Sequence, residues 1–116
     1  MSNKRIHGPI VPQCCPSLTV APLTEEQAEA LAPIFKAFAD PVRLRLMSMI
    51  ASTTEICVND LASEFDVTGP TISYHLRILR EANLVDSQRR GTFVYFRAQP
   101  ESLRPLSDLL RAPEPV

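Results

Sequence analysis

The sequence predicts a mainly α-helical fold closed by a small β-hairpin, in the order α-α-α-α-β-β-α, and three observations carry that expectation. Apolar residues recur at helical spacing in punctuated stretches between residues 24 and 83, the period switches to two from Leu84, and helical spacing returns after Pro100.

Thr24 followed by Gln27 has the pattern of a capping box, with Leu31, Phe35 and Phe38 behind it at helical spacing. Pro33 falls inside this stretch, which predicts a kink or a restart there. Asp40-Pro41 is an N-cap with proline at the first helical position, and Leu46, Met47 and Ile50 supply the buried stripe of a second helix reaching about Ala51. After the polar break from Ser52 to Glu55, Ile56-Cys57-Val58 has the composition of a very short strand. Asn59 and Asp60 then open a third helix with Leu61 and Phe65 pointing inward. Asp66 to Gly69 make a tight turn. Thr68 caps the fourth helix, Pro70 sits in its first turn, Ile72, Leu76 and Leu79 mark its inner face, and Asn83 ends it. Leu84 to Ser87 and Phe93 to Arg97 are short strands around Gln88-Arg89-Arg90-Gly91-Thr92, read as the hairpin tip. Pro100 opens the last helix, with Leu103, Leu106 and Leu110 as its apolar stripe. This order of elements is that of a winged helix-turn-helix.

Residues 1–23 contain Pro9, Pro12, Pro16 and Pro22 and no helical period, so they read as a flexible arm; that arm carries Cys14 and Cys15. Residues 24–111 form the domain, and residues 112–116 a frayed tail. At 116 residues, 45% hydrophobic and 22% charged, the chain supports one modest core. No apolar run approaches the roughly 18 residues of a membrane span, and the N-terminus lacks the apolar segment of a secretory signal. These features predict a cytoplasmic protein with no membrane partner. In that compartment thiols stay reduced, so three cysteines point to ligation or redox chemistry rather than a disulfide framework. An enzyme is not expected: there is no phosphate-cradling glycine loop, no nucleophile with a base in the pattern, and only three glycines.

The net charge of −1 hides an asymmetry. Residues 24–66 carry eight acidic side chains against Lys36, Arg43 and Arg45, whereas residues 68–97 carry Arg77, Arg80, Arg89, Arg90 and Arg97 against Glu81 and Asp86. Such an excess is either an ordinary solvated face or an electrostatic footprint. The helix from Pro70 has the division that a DNA-reading helix needs, one face anchored in the core and the other carrying short polar or cationic groups. Thr68, Gly69, Thr71, Ser73, Tyr74, His75 and Arg77 are its candidate DNA contacts, the first three at an N-terminal turn whose N–H groups suit a phosphate. Arg89 and Arg90 are candidates for phosphate or minor-groove contacts. Each has a plainer alternative: His75 as a satisfied structural histidine, Tyr74 as a ring packed on a neighbouring helix, Arg80 and Arg97 as surface ion-pair residues.

The stretches Phe38-Ala-Asp-Pro-Val-Arg-Leu-Arg-Leu46, Glu55-Ile-Cys-Val-Asn-Asp-Leu61 and Thr71-Ile-Ser-Tyr-His-Leu-Arg-Ile-Leu-Arg-Glu-Ala82 closely resemble the ArsR/SmtB family of metalloregulatory repressors, over roughly residues 30–98. The resemblance implies a homodimer joined through its first and last helices, which binds a near-palindromic operator on double-stranded DNA and releases it when a metal ion or metalloid binds. Arsenite-sensing members commonly carry Cys-Val-Cys-Asp-Leu-Cys at the start of the third helix. Here the match is Cys57-Val-Asn-Asp-Leu-Ala62, so Asn59 and Ala62 replace two thiols and only Cys57 remains. Cys14 and Cys15 are then its sole candidate sulfur partners.

Three thiolates in a pyramid suit a trivalent ion with a lone pair, so the expected inducer is As(III), with Sb(III) or Bi(III) fitting the same set. Structural zinc normally takes four ligands, and the last helix has Glu101 and Asp108 but no histidine for the zinc site of other relatives. No organic cofactor is expected. Two alternatives stay open: a redox switch through a Cys14-Cys15 disulfide, and a metalloid-scavenging protein that does not act on DNA.

Overall fold

The computed structural model describes residues 17–113. Its elements are α1 (Glu25–Phe38), α2 (Pro41–Ala51), β1 (Ile56–Cys57), α3 (Val58–Ala62), α4 (Gly69–Glu81), β2 (Val85–Arg90), β3 (Phe93–Ala98) and α5 (Pro100–Leu109). The winged helix-turn-helix is present, and the short strand is real: β1 pairs with β3 to give a three-stranded antiparallel sheet in the order β1-β3-β2. Val58 belongs to α3 rather than to the strand.

Local chemistry sets the helix boundaries. The Thr24 hydroxyl accepts from the Gln27 N–H at 3.1 Å while the Gln27 side chain accepts from the Thr24 N–H at 2.9 Å, completing the capping box. Asp40 accepts from the N–H groups of Val42 and Arg43 at 2.9 and 3.2 Å. At the end of α4, Asn83 takes a left-handed φ of 63°, the Asn83 N–H donates to Arg80 and the Leu84 N–H donates back to Leu79. That is a Schellman close, and it turns the chain directly into β2.

Three expectations change in detail. Pro33 neither breaks nor restarts α1, which runs unbroken from Glu25 to Phe38. The proline lies on the exposed side of the helix, where water can serve the Glu29 carbonyl that it leaves without a donor, while Leu31, Ile34 and Ala37 hold the other side in the core. The hairpin tip is Gly91-Thr92 alone, so Arg89 and Arg90 are strand residues paired with Val94 and Phe93. A Gly91 φ of 65° fits a two-residue turn that needs glycine first, and it lets the ladder continue to Arg90. In α5, Leu109 takes the inner position and Leu110 is 57% exposed. At 3.6 residues per turn both lie about 40–60° from the Leu106 direction, so packing, not period, chooses between them.

The core is continuous: Leu31 and Ile34 of α1, Leu46 and Ile50 of α2, Leu61 of α3, Ile72, Leu76 and Leu79 of α4, and Leu84, Val85, Phe96, Leu106 and Leu109 behind them. Ser17 and Leu18 are tied to the far end of the chain, the Leu18 N–H donating to the Leu109 carbonyl at 2.9 Å and the Ser17 hydroxyl to the Arg111 carbonyl at 2.9 Å.

The caps and ion pairs predict an acid-labile domain. Asp40 is held below its ordinary value of 3.8, first by the Arg43 backbone N–H, and Glu55 below 4.5, first by the Arg90 side chain. Groups with depressed folded-state values contribute stability that is complete above their ordinary values and is lost as pH falls through the lowered ones. Thermal melts should show a Tm that is flat above about pH 5 and drops below about pH 4, less steeply in an Asp40→Asn/Glu55→Gln variant.

Candidate nucleic-acid interface and thiol site

The capped turn before α4 and the inner stripe of Ile72, Leu76 and Leu79 fix which face of α4 looks outward. Ser73, Tyr74 and Arg77 are exposed there, with Thr68, Gly69 and Pro70 exposed at its start. Tyr74 is 50% exposed rather than packed on another helix, and the Arg77 guanidinium lies 5.8 Å from its ring centre. At the N-terminal turn the supply of free donors is smaller than expected. The Thr71 N–H points to the Thr68 hydroxyl at 3.4 Å, the two threonine hydroxyls share a hydrogen bond of 2.9 Å, and Pro70 has no N–H.

His75 faces inward. It is 9% exposed, and its Nδ1 lies 3.1 Å from Arg43 Nη1 and 4.0 Å from Asp40 Oδ2. A guanidinium only donates, so Nδ1 is the acceptor and the ring proton sits on Nε2. The same Arg43 donates through Nε to the Ala37 carbonyl at 2.8 Å and through Nη2 to the Lys36 carbonyl at 3.4 Å. One guanidinium therefore satisfies the last turn of α1 and anchors the middle of α4. Periodicity offered no sign of this, although Arg43 follows the Asp40-Pro41 cap by a fixed interval.

A groove of about 580 Å³ separates α4 from the hairpin, lined by Ser73, Tyr74, Arg77 and Arg80 on one side and Phe93 and Val94 on the other. Arg89 is exposed and paired with Val94, so it shares that residue's sheet face. Arg90 is on the opposite side, ion-paired with Glu55 and with its guanidinium 4.0 Å from the Tyr95 ring centre. Arg97 pairs with Asp86 at 3.7 Å, as a surface ion-pair residue should, while Arg80 donates to the Ser87 hydroxyl at 3.3 Å. The cations thus divide into Arg77 and Arg80 lining the groove, Arg89 exposed on the Val94 face of the hairpin, and Arg90 engaged on the other face.

Cys57 ends β1 opposite Tyr95 and caps α3 by position, with no side-chain hydrogen bond to the helix. It is half-buried. Cys14 and Cys15 lie outside the described residues. Among the described residues no three His, Cys, Asp or Glu side chains come together to hold a metal ion.

A winged helix with a basic, outward-facing α4 and an arginine-bearing hairpin defines a DNA-binding protein, a regulator by construction rather than an enzyme. The sequence profile described as bacterial regulatory protein, arsR family, matches residues 40–87. The "Arsenical resistance operon repressor" of Bacillus subtilis is 40% identical over 72 residues, 62% of this chain and 69% of that protein. The "Transcriptional repressor SmtB homolog" of Synechocystis is 48% identical over 71 residues, 61% of this chain but only 53% of its own length. Among solved structures, the AntR antimony-specific transcriptional repressor superposes with a TM-score of 0.65 at 26% identity, covering 81% of this chain and 88% of that one. This chain belongs to the ArsR family of transcriptional repressors. No helix among the described residues is long and apolar enough to cross a membrane.

Proposed function

We propose that the protein is a cytoplasmic, homodimeric repressor that binds a near-palindromic operator and releases it when As(III) is held by the thiolates of Cys14, Cys15 and Cys57. The observation that carries this reading is the position of Cys57, a free, half-buried thiol at the entry to the helix-turn-helix. Three sulfurs match As(III), and Sb(III) or Bi(III) by the same chemistry. A relative named for arsenical resistance and a structural neighbour described as antimony-specific support a metalloid.

An apolar groove of about 370 Å³ between α1 and α5, lined by Phe35, Phe38, Leu44, Leu103, Leu106 and Leu110, supports a dimer through those helices. Leu44 and Leu110 are 55% and 57% exposed in the single chain, an arrangement a second copy would cover. Ser17, two residues after Cys15 and three after Cys14 in the sequence, is tied to the α5 end beside that groove. We therefore read the site as shared, with Cys14 and Cys15 of one protomer and Cys57 of the other. On DNA, Ser73, Tyr74 and Arg77 face base edges, Thr68, Gly69 and Thr71 lie at the phosphate-facing turn, and Arg89 reaches the backbone from the hairpin. His75 and Arg90 act by holding these elements in place.

The test is fluorescence anisotropy with duplexes tiled across the DNA upstream of the gene. One duplex should bind tightly, micromolar arsenite should release it, and Arg77→Ala or Arg89→Ala should weaken binding and flatten the salt dependence by about one unit of slope. Binding indifferent to arsenite removes the inducer assignment. Release by peroxide with Cys57→Ser behaving like wild type selects the redox switch, and arsenite binding with no salt-dependent DNA affinity selects scavenging.

A further inference from the structure

The hairpin sheet has two faces, and the one turned away from the core carries a cluster that DNA binding does not use. Ile56, opposite Phe96, points to the core, so Cys57, opposite Tyr95, lies on the outer face. Gln88 and Arg90 of β2, opposite Tyr95 and Phe93, share that face. There Arg90 lies over the Tyr95 ring, 4.0 Å from its centre, and forms an ion pair with Glu55, two residues before Cys57. The pairing holds Glu55 below its ordinary value and Arg90 above its own. β1 is only two residues long, so few backbone hydrogen bonds fix Cys57 and Glu55 to the sheet. The Glu55–Arg90 ion pair adds a side-chain link between the start of the helix-turn-helix and β2.

We infer that Glu55, Arg90 and Tyr95 are positioning residues that hold the wing in its DNA-binding place and transmit the state of Cys57 to it. This rests on the reading of Cys57 as the sensing thiol. A bulky ligand on Cys57 crowds the Tyr95 ring, its cross-strand neighbour. The ring carries Arg90, and Arg90 is what Glu55 holds, so crowding the ring opens the ion pair. Arg89 is the neighbouring residue on the same strand, exposed on the opposite sheet face, so displacement of β2 withdraws it from DNA.

The experiment uses full-length Cys14→Ser/Cys15→Ser protein, with Cys57 capped by methyl methanethiosulfonate, and the upstream duplex. This parent needs no arsenite, so a failed inducer assignment and a failed relay give different results. Capping should weaken binding by about tenfold in the parent and by less than about twofold in Glu55→Gln and Arg90→Met, while Arg90→Lys keeps the parent response. A DNA-free readout is Tyr95 emission in a Tyr74→Phe background, possible because the chain has no tryptophan and two tyrosines. Capping should shift that emission, and Arg90→Met should remove the shift. In otherwise wild-type protein, Glu55→Gln should leave arsenite uptake, read by As–S ultraviolet absorbance, unchanged while shrinking DNA release. The inference is overturned if capped and uncapped parent bind equally, or if Glu55→Gln and Arg90→Met lose affinity on capping as the parent does. Arsenite without effect beside a normal capping response leaves the relay standing and removes only the metalloid.

Discussion

Replacing Cys57 by Ser should leave operator affinity within about twofold of wild type and abolish arsenite-driven release. Serine preserves the shape of a residue whose side chain makes no hydrogen bond to α3, so the helix entry is not disturbed. It removes the one thiol attached to the folded domain, and Cys14 and Cys15 then have no third sulfur. If the wild-type response is about a thousandfold, the coupling lost is about 4 kcal/mol, slightly above the usual range of allosteric coupling free energies. Anisotropy titrations with and without arsenite measure it. Mixed dimers separate the two arrangements of ligands: Cys57→Ser paired with Cys14→Ser/Cys15→Ser retains one intact site if the arm crosses to its partner, and none if each protomer builds its own.

Arg43→Met should destabilise the domain by about 2–4 kcal/mol and lower operator affinity at temperatures where it is still folded. The guanidinium is the hydrogen-bond partner of the Ala37 and Lys36 carbonyls and of His75 Nδ1, three acceptors on two helices. Methionine keeps the length of the stem but leaves all three without that donor. Arg43→Lys should not restore the loss, because an ammonium cannot fork across the end of α1 and the middle of α4 at once. Denaturant melts give the stability change. His75→Asn, whose amide offers an acceptor near the Nδ1 position, should cost less than His75→Leu.

The proposed thiol set is read from residue type and spacing, because what Cys57-Val-Asn-Asp-Leu-Ala62 lacks is as readable as what it has. Thr68 and Asp40 were legible as caps, since a cap is a contact within three residues. The outward face of α4 followed from the period of Ile72, Leu76 and Leu79. His75 was not legible in this way. Helical period leaves it at the boundary of the buried stripe, and the partner that draws it inward is 32 residues away. Arg89 and Arg90 looked equivalent because both were placed in a loop. The ladder continues three residues further, to Arg90, neighbouring residues of a strand face opposite ways, and Glu55 stands on one side only.

By itself, then, the sequence determined the order of elements, the caps at Thr24, Asp40 and Thr68, and the family. Each of these depends on contacts within a turn or on composition. Tertiary structure alone decided that α1 runs through Pro33, that Leu109 rather than Leu110 enters the core, that Arg43 locks His75 inward, and that Arg90 is engaged by a glutamate 35 residues away while Arg89 is exposed on the other sheet face. The physical reason is the same in each case: local preferences left two arrangements close in free energy, and burial and long-range pairing chose between them.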